Sequence, residues 1–353
     1  MILTNLSLQN FRSYKKQSFE FTANTTLVIG NNGVGKTNLL EAVFLLATGR
    51  SFRAEKDEQM VFYGQEFGRV TGKIHLGGEK SATSEVGLAV ILTQPKRFLV
   101  NNVPKRKLDF IGQLRCVLFR PEDIDLILGS PSTRRNYLDF VLEQVDREYR
   151  RSSLSYKKGL RQRNKLLERI RDGQAERKQL AFWDKLLIKD GGAITAKREE
   201  YLDFVGRKIK ARGMPLKLFY DRSVISPLRL MQYAGNEVAA AKTLVGPHRD
   251  EFRFIYQRSG KLEKDLSLYG SRGEQRMAVL GVKLAELEYM DVAIAGETDR
   301  PVLLLDDIFS ELDHDHRETV LKLLEKQQTI ITTTDEHLLP DKYKKKVDTC
   351  FIT

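Results

Sequence analysis

The stretch Gly30-Asn31-Asn32-Gly33-Val34-Gly35-Lys36-Thr37 decides the fold. It is G-x-x-x-x-G-K-T, the P-loop pattern, and its flanks suit it. Thr26-Leu27-Val28-Ile29 before it is apolar and branched, as in a buried strand. Asn38-Leu39-Leu40-Glu41-Ala42-Val43-Phe44-Leu45-Leu46 after it has helical spacing. Glycines let backbone N–H groups close around phosphate oxygens, and a helix N-terminus favours their charge. Gly30, Asn31, Asn32, Gly33, Val34, Gly35, Lys36, Thr37 and Asn38 are therefore candidate nucleotide-binding residues. Lys36 is the candidate for the β- and γ-phosphates, and the Thr37 hydroxyl for Mg²⁺.

The second half of such a site lies far downstream. Val302-Leu303-Leu304-Leu305 reads as a central parallel strand, and Asp306-Asp307 follows it directly. This is the Walker B arrangement: Asp306 to hold Mg²⁺, Asp307 to orient the attacking water. The other reading of the pair is a helix N-cap after a strand. Most of the chain separates Lys36 from Asp306, which implies a domain inserted between them. Ser271-Arg272-Gly273-Glu274-Gln275 at a helix start and Ser310-Glu311-Leu312-Asp313 after Walker B match the signature motif and D-loop of ABC-type ATPases. In that class the signature Ser and Gly, here Ser271 and Gly273, meet the γ-phosphate held by a second subunit.

The remainder of the chain fits around these motifs. Leu6 to Phe11 alternates and reads as an edge strand. Residues from about 68 to 110 read as a β-meander with a tight turn at Asn101-Asn102. From 121 to 213 the chain is helical and basic. Tyr156, Leu160, Leu167 and Ile170 share one helical face, ringed by Lys157, Lys158, Arg161, Arg163, Lys165, Arg169 and Arg171. A second helix carries Trp183, Leu186, Leu187 and Ile194. The expected fold class is α/β: an ABC-type P-loop ATPase head, a mixed sheet with an antiparallel β subdomain, plus an inserted α-helical domain. The expected boundaries are 1–120 and 240–353 for the head and 121–239 for the insert.

Composition narrows the function. The 353 residues carry a net charge of +12, which suits a polyanion such as nucleic acid or simply a solvated basic surface. No run approaches the roughly 18 apolar residues of a membrane helix, so no membrane role is expected. Two cysteines, Cys116 and Cys350, make no disulfide framework, and with an ATP-type site they point to the cytoplasm. The five histidines lack metal-ligand spacing.

Over essentially its whole length the sequence resembles the RecF family of bacterial recombination mediators, heads of the SMC and Rad50-like class. Beyond the P-loop and Walker B, the carriers are Asn10-Phe11-Arg12, Gly49-Arg50-Ser51-Phe52-Arg53, Phe119 to Pro131 with Arg134-Arg135 and Leu138-Asp139, and Gly246-Pro247-His248-Arg249-Asp250. The resemblance implies an ATP-dependent homodimer that binds DNA, double-stranded and single-stranded, at gapped junctions. It implies slow, DNA-dependent ATP hydrolysis with Mg²⁺. It also implies help in loading RecA with RecO and RecR, in the setting of DNA replication, DNA damage and the SOS response. It makes Arg12 a candidate phosphate contact; pairing with a surface carboxylate is the alternative. Asp307 stands where transporter ABC proteins have Glu, Thr334 where they have a switch His, and no Q-loop Gln is evident. Looser water positioning and slow turnover follow. His248 is either a sensor or a turn residue. Arg134 and Arg135 either touch DNA or brace a helix N-terminus. Two other classes remain as alternatives, a transporter ATPase subunit and a small-molecule kinase or GTPase. The basic insert and the 121–139 stretch disfavour the first. The signature motif and the lack of Asn-Lys-x-Asp disfavour the second.

Overall fold

The computed structural model describes residues 1–77, 84–257, 262–293, 300–310, 314–324, 326–335, 340, 343 and 347–352. By packing, the chain falls into two compact units, Met1–Asp123 with Glu286–Thr353, and Ile124–Ala285. The first opens with β1 (Ile2–Phe11), β2 (Tyr14–Glu20), β3 (Thr25–Ile29), α1 (Lys36–Thr48), β4 (Gly68–Leu76) and β5 (Ser84–Leu92). It continues through β6 (Arg97–Val100), β7 (Val103–Lys105), the one-turn α2 (Lys107–Phe110) and β8 (Cys116–Phe119). The second unit holds α3 (Asp125–Leu128), α4 (Pro131–Val145), α5 (Arg147–Arg171), α6 (Ala181–Ala211), β9 (Leu216–Asp221) and α7 (Pro227–Ala240). It ends with β10 (Glu251–Tyr256), β11 (Lys264–Asp265), the one-turn α8 (Leu266–Tyr269) and most of α9 (Arg272–Ala293). The first unit resumes within α9 and adds β12 (Val302–Asp306), α10 (His314–Leu321), β13 (Thr329–Thr333) and β14 (Val347–Phe351).

Two sheets build the first unit. One has the order β14-β3-β13-β12-β8, with every pairing parallel. All residues of β3, β8, β12 and β13 are buried, which is why they read as continuous apolar runs. The other sheet is antiparallel, in the order β2-β1-β4-β5-β6-β7. Helix α1 packs against β12 and β13 of the first sheet and β4 and β5 of the second. It is accordingly apolar around most of its circumference. The stretch expected as an edge strand is β1, and it lies inside its sheet, between β2 and β4. Its alternation reports one wet face rather than one wet edge, since antiparallel interior strands are often covered on a single side. The Asn101-Asn102 turn is as expected, with φ of 50° and 63°, the left-handed pair of a two-residue hairpin.

In the second unit α5 and α6 pack along one another. Gly159 permits it: a Cβ there would sit 2.6 Å from the Leu186 side chain. Tyr156 and Leu167 are buried on the expected face of α5, Leu160 and Ile170 only half so. Leu187 and Ile194 are buried on α6. The basic ring is divided, because Arg163 is only 2% exposed and ion-pairs with Asp184 and Glu237 at 2.8 Å each. Lys158, Arg161, Lys165, Arg169 and Arg171 are exposed. Composition and packing mark the second boundary at different places. The insert was expected to end at 239, while packing keeps the strands β10 and β11 with the helices to Ala285.

Candidate nucleotide site

The P-loop is held at its start by the strands beside β3. Gly30 N–H donates to the Thr333 carbonyl at 3.3 Å, and Ile352 N–H donates to Ile29 O at 2.9 Å. A Cβ on Gly30 would lie 2.5 Å from Ile352 O, so no side chain fits there. Gly33 and Gly35 then take φ of +86° and +112°, a region closed to most L-residues. Tyr14 Oη donates to Gly35 O at 3.0 Å and fixes the loop's exit. Lys36 opens α1 and folds back across the loop, its Nζ donating to Gly30 O at 2.6 Å and Asn31 O at 2.9 Å. Burial lowers the Lys36 pKa, while the neighbouring Asp307 and Asp306 carboxylates act in the opposite direction.

Walker B completes the constellation. Thr37 Oγ1 donates to Asp306 Oδ1 at 3.1 Å, and Thr332 Oγ1 donates to the same oxygen at 2.7 Å. A hard cation fits this pair: the cis oxygens of an octahedral Mg²⁺ lie roughly 3 Å apart. Among the described residues no cluster of three His, Cys, Asp or Glu could hold a metal. Asp307 follows in the left-handed region at φ 46°, its N–H donating to Thr332 O at 3.2 Å. Burial raises the Asp307 pKa; Lys36 opposes this and Asp306 adds to it. Lys36, Thr37, Asp306 and Asp307, drawn from distant parts of the sequence, thus meet at the mouth of one loop. Thr334 is exposed beyond β13.

Arg12 is at the β1–β2 turn with φ 52°. It pairs with a carboxylate, but a buried one: Nε and Nη2 reach Glu41 at 2.8 and 2.6 Å, and Nη1 reaches Gln59 O at 2.6 Å. Arg53 Nη2 joins the same Glu41 and hydrogen-bonds Asn38 Oδ1, while Asn38 Nδ2 donates to Ser13 Oγ at 2.8 Å. Burial alone would raise the Glu41 pKa, but Arg12, Arg53 and Ser51 reverse this and lower it. Glu41 and Arg53 were not among the expected site residues. The available signal was a single acid in an otherwise apolar helix, which must be paired if the helix is covered all round.

Ser271 and Gly273 lie in the second unit, at the start of α9. Ser271 N–H donates to Glu274 Oε2 at 2.8 Å and Glu274 N–H to Ser271 Oγ at 3.3 Å, a reciprocal capping box. Gly273 is exposed and nothing lies within 4 Å of where its Cβ would be. Glu311-Leu312-Asp313 of the expected D-loop lies outside the described residues. His248 is part of the turn Pro247–Arg249. Its Nε2 donates to Thr243 O at 3.0 Å and its Nδ1 accepts from Tyr156 Oη at 2.8 Å. Arg134 braces the C-terminal end of α3, not a helix N-terminus, donating to the carbonyls of Leu126, Ile127 and Gly129 while pairing with Glu251. Arg135 donates to Asp250 O at 3.0 Å.

The chain matches the RecF/RecN/SMC N terminal domain family over residues 2–350. It is similar to the DNA replication and repair protein RecF of Moorella thermoacetica, 37% identical over 96% of this chain and 91% of that relative. The RecF of Bacillus cereus (strain B4264) is 31% identical over 100% of this chain and 97% of its own length. Among solved structures, the recombination mediator protein RecF-ATP of the RecFOR pathway superposes with a TM-score of 0.86 at 31% identity, covering 96% of this chain and 93% of that one. An Smc head bound to the C-terminal winged-helix domain of ScpA aligns at TM-score 0.51 and 16% identity over 95% of this chain and 90% of that one. The fold is thus α/β and that of an ABC-type ATPase head. Among the described residues no helix is long and apolar enough to cross a membrane.

Proposed function

The chain belongs to the RecF/RecN/SMC N-terminal domain family, and we propose that it is an ATP-gated, DNA-binding ATPase of recombinational DNA repair. The observation that carries this reading is the meeting of Lys36 and Thr37 with Asp306 and Asp307 at the P-loop, on a chain similar to RecF from end to end. Lys36 exchanges its two loop carbonyls for phosphate oxygens. Thr37 and Asp306 hold Mg²⁺, the glycine-lined loop and the N-terminus of α1 bind the phosphates, and Asn38 and Arg12 border them. ATP, when bound with Mg²⁺, supplies a scissile γ-phosphate. Asp307 orients water and takes its proton. Asp is one methylene shorter than Glu, so water is held less closely and turnover is slow.

Ser271 and Gly273 serve the ATP of a second copy, so two ATP molecules are shared across a two-fold axis. The partners are DNA at gapped single-strand junctions, RecR, RecO and RecA, and the setting is the cytoplasm. Nothing observed favours the transporter ATPase reading, and the RecF relatives span the basic helices as well as the nucleotide loop.

The test is light scattering with ATP, ADP or no nucleotide, combined with two variants. ATP alone should dimerise the wild type. Lys36→Met should lower ATP affinity about a hundredfold through lost charge-assisted hydrogen bonds, with the fold unchanged. Ser271→Arg should bind ATP normally yet stay monomeric and inactive. Mixing the two should restore part of the ATPase, because one intact P-loop then meets one intact signature. Full activity of isolated Ser271→Arg monomers would refute shared sites.

A further inference from the structure

The start of α9 carries a carboxylate beside the hydroxyl read above as a phosphate contact. Glu274 lies in the first turn, and its Oε2 accepts from Ser271 N–H at 2.8 Å and from Ser271 Oγ at 3.1 Å. Both Glu274 oxygens also accept from Lys264 Nζ, at 2.8 Å each. Among the described residues Lys264 is the one cation that Glu274 touches. The fold places this lysine. Lys264 pairs with Tyr256 across β10 and β11, and its Nζ stands 4.9 Å from the centre of the Tyr256 ring. The side chains of Lys264 and Glu274 are 32% and 23% exposed, so water screens the pair only in part. Lys264 and the Ser271 N–H hold the Glu274 carboxyl below its ordinary range, so it is an anion at neutral pH. Left unpaired 3.1 Å from Ser271 Oγ, that anion would repel a γ-phosphate brought to the same hydroxyl.

We propose that Lys264 is a positioning residue for the shared site: it cancels the charge of Glu274 and keeps that carboxylate bonded, so that the Ser271 hydroxyl can turn from Glu274 to the γ-phosphate on a second copy. The proposal rests on the shared-site reading above. In a single chain the Ser271 hydroxyl donates to Glu274. On dimerisation the same hydroxyl donates to phosphate instead. Glu274 then keeps the Lys264 ammonium on both oxygens and the Ser271 N–H on one, so the exchange strands no acceptor. Lys264 belongs to the second unit and the phosphate loop to the first, so ATP binding by one chain does not depend on it.

The experiment follows light scattering of the full chain with ATP over a range of protein concentrations, for Lys264→Met, Glu274→Gln and the double variant. ATP titration of the monomers and thermal melting accompany it. Gln keeps both halves of the capping box while removing the charge. Lys264→Met should weaken the ATP dimer about a hundredfold, from about tenfold at each of two shared sites. Its monomer should bind ATP within about twofold of wild type, since the two sites are distant in one chain. Glu274→Gln should dimerise at least as tightly as wild type. The double variant should return to within about threefold of wild type, because the anion has gone together with its cation. If Lys264 only packs on Tyr256, or itself holds the phosphate, the double variant stays as weak as Lys264→Met, and that result overturns the proposal. An unchanged dimer in Lys264→Met does the same. Should Lys264→Met fail to fold, a Glu274→Gln dimer about tenfold weaker than wild type overturns it equally. A wild-type chain that ATP leaves monomeric would instead remove the shared-site reading itself.

Discussion

Two arginine clusters, one in each unit, use the same groups in opposite proportion. Around Glu41, two guanidinium groups share one carboxylate beside an open cavity. Around Arg198, one guanidinium serves two carboxylates and is closed in completely. Arg198 donates to Tyr149 Oη at 3.1 Å, Pro247 O at 2.7 Å, Asp250 Oδ2 at 3.1 Å and Asp139 Oδ1 at 3.0 Å. The side chains of Arg198, Tyr149, Asp250 and Asp139 are all buried. Tyr220 adds a further hydrogen bond to Asp250, and Lys157 one to Asp139. The first cluster keeps charge in excess beside a cavity. The second satisfies every carboxylate and ties α4, α5, α6, β9 and the Pro247 turn into one block. Local charge ratio and access to water, not the presence of arginine, distinguish the two clusters.

The largest effect that would test this contrast is on stability. Arg198→Met leaves buried Asp250 without its ion-pair partner and Asp139 with Lys157 alone, and should destabilise the protein by about 3–5 kcal/mol in urea titration. ATP affinity of the molecules that remain folded should not change. A mild loss, under about 1 kcal/mol, would mean that the cluster is wetter than its geometry implies.

Next in size is a pH effect centred on His248. Burial pushes its pKa down from 6.5 to about 4; Arg249 and Arg135 act the same way, while the Thr243 carbonyl and Asp250 oppose. As pH falls through 6.5 the unfolded chain takes up a proton that the folded ring refuses until about 4. Stability should therefore decline across that window, by about 2 kcal/mol once partial exposure of the ring is discounted. Melting of His248→Gln should lose this slope. The slope below pH 4 should persist, since Asp139, held well below the usual carboxylate range against its own burial by Arg198 and Lys157, titrates there.

The smallest stability effect belongs to the exposed charges of α5. Reversing Lys158, Arg161 and Lys165 should each shift stability by less than about 0.5 kcal/mol. If this face meets DNA, affinity should fall and the salt dependence should flatten by about one released ion for each phosphate no longer neutralised. Unchanged binding by the triple reversal would leave the face merely solvated.

What could be read from the sequence follows from how local each signal is. The P-loop, Walker B and the strands carrying them are contiguous, so their chemistry is visible in a few residues each. Arg163 was hidden in a basic run, although its spacing from Tyr156 and Leu167 puts it on their buried face. There charge suggested solvent and periodicity was right. Glu41 depends on Arg12 and Arg53, which no periodicity connects. β1 was misplaced because alternation specifies which face is wet but not how many neighbours a strand has.

One consequence concerns the order of synthesis. The strand leading into the P-loop pairs on both sides with segments from late in the chain, β13 and β14. A nascent polypeptide therefore displays the complete nucleotide fingerprint long before it can shape it. Until 329–352 has left the ribosome, Gly30 lacks both the Thr333 carbonyl and the neighbouring Ile352 backbone that confine it. Closing contacts this distant in sequence is slow. The phosphate loop thus takes its shape only after 329–352 has emerged, and a fragment stalled before it carries the fingerprint without the pocket.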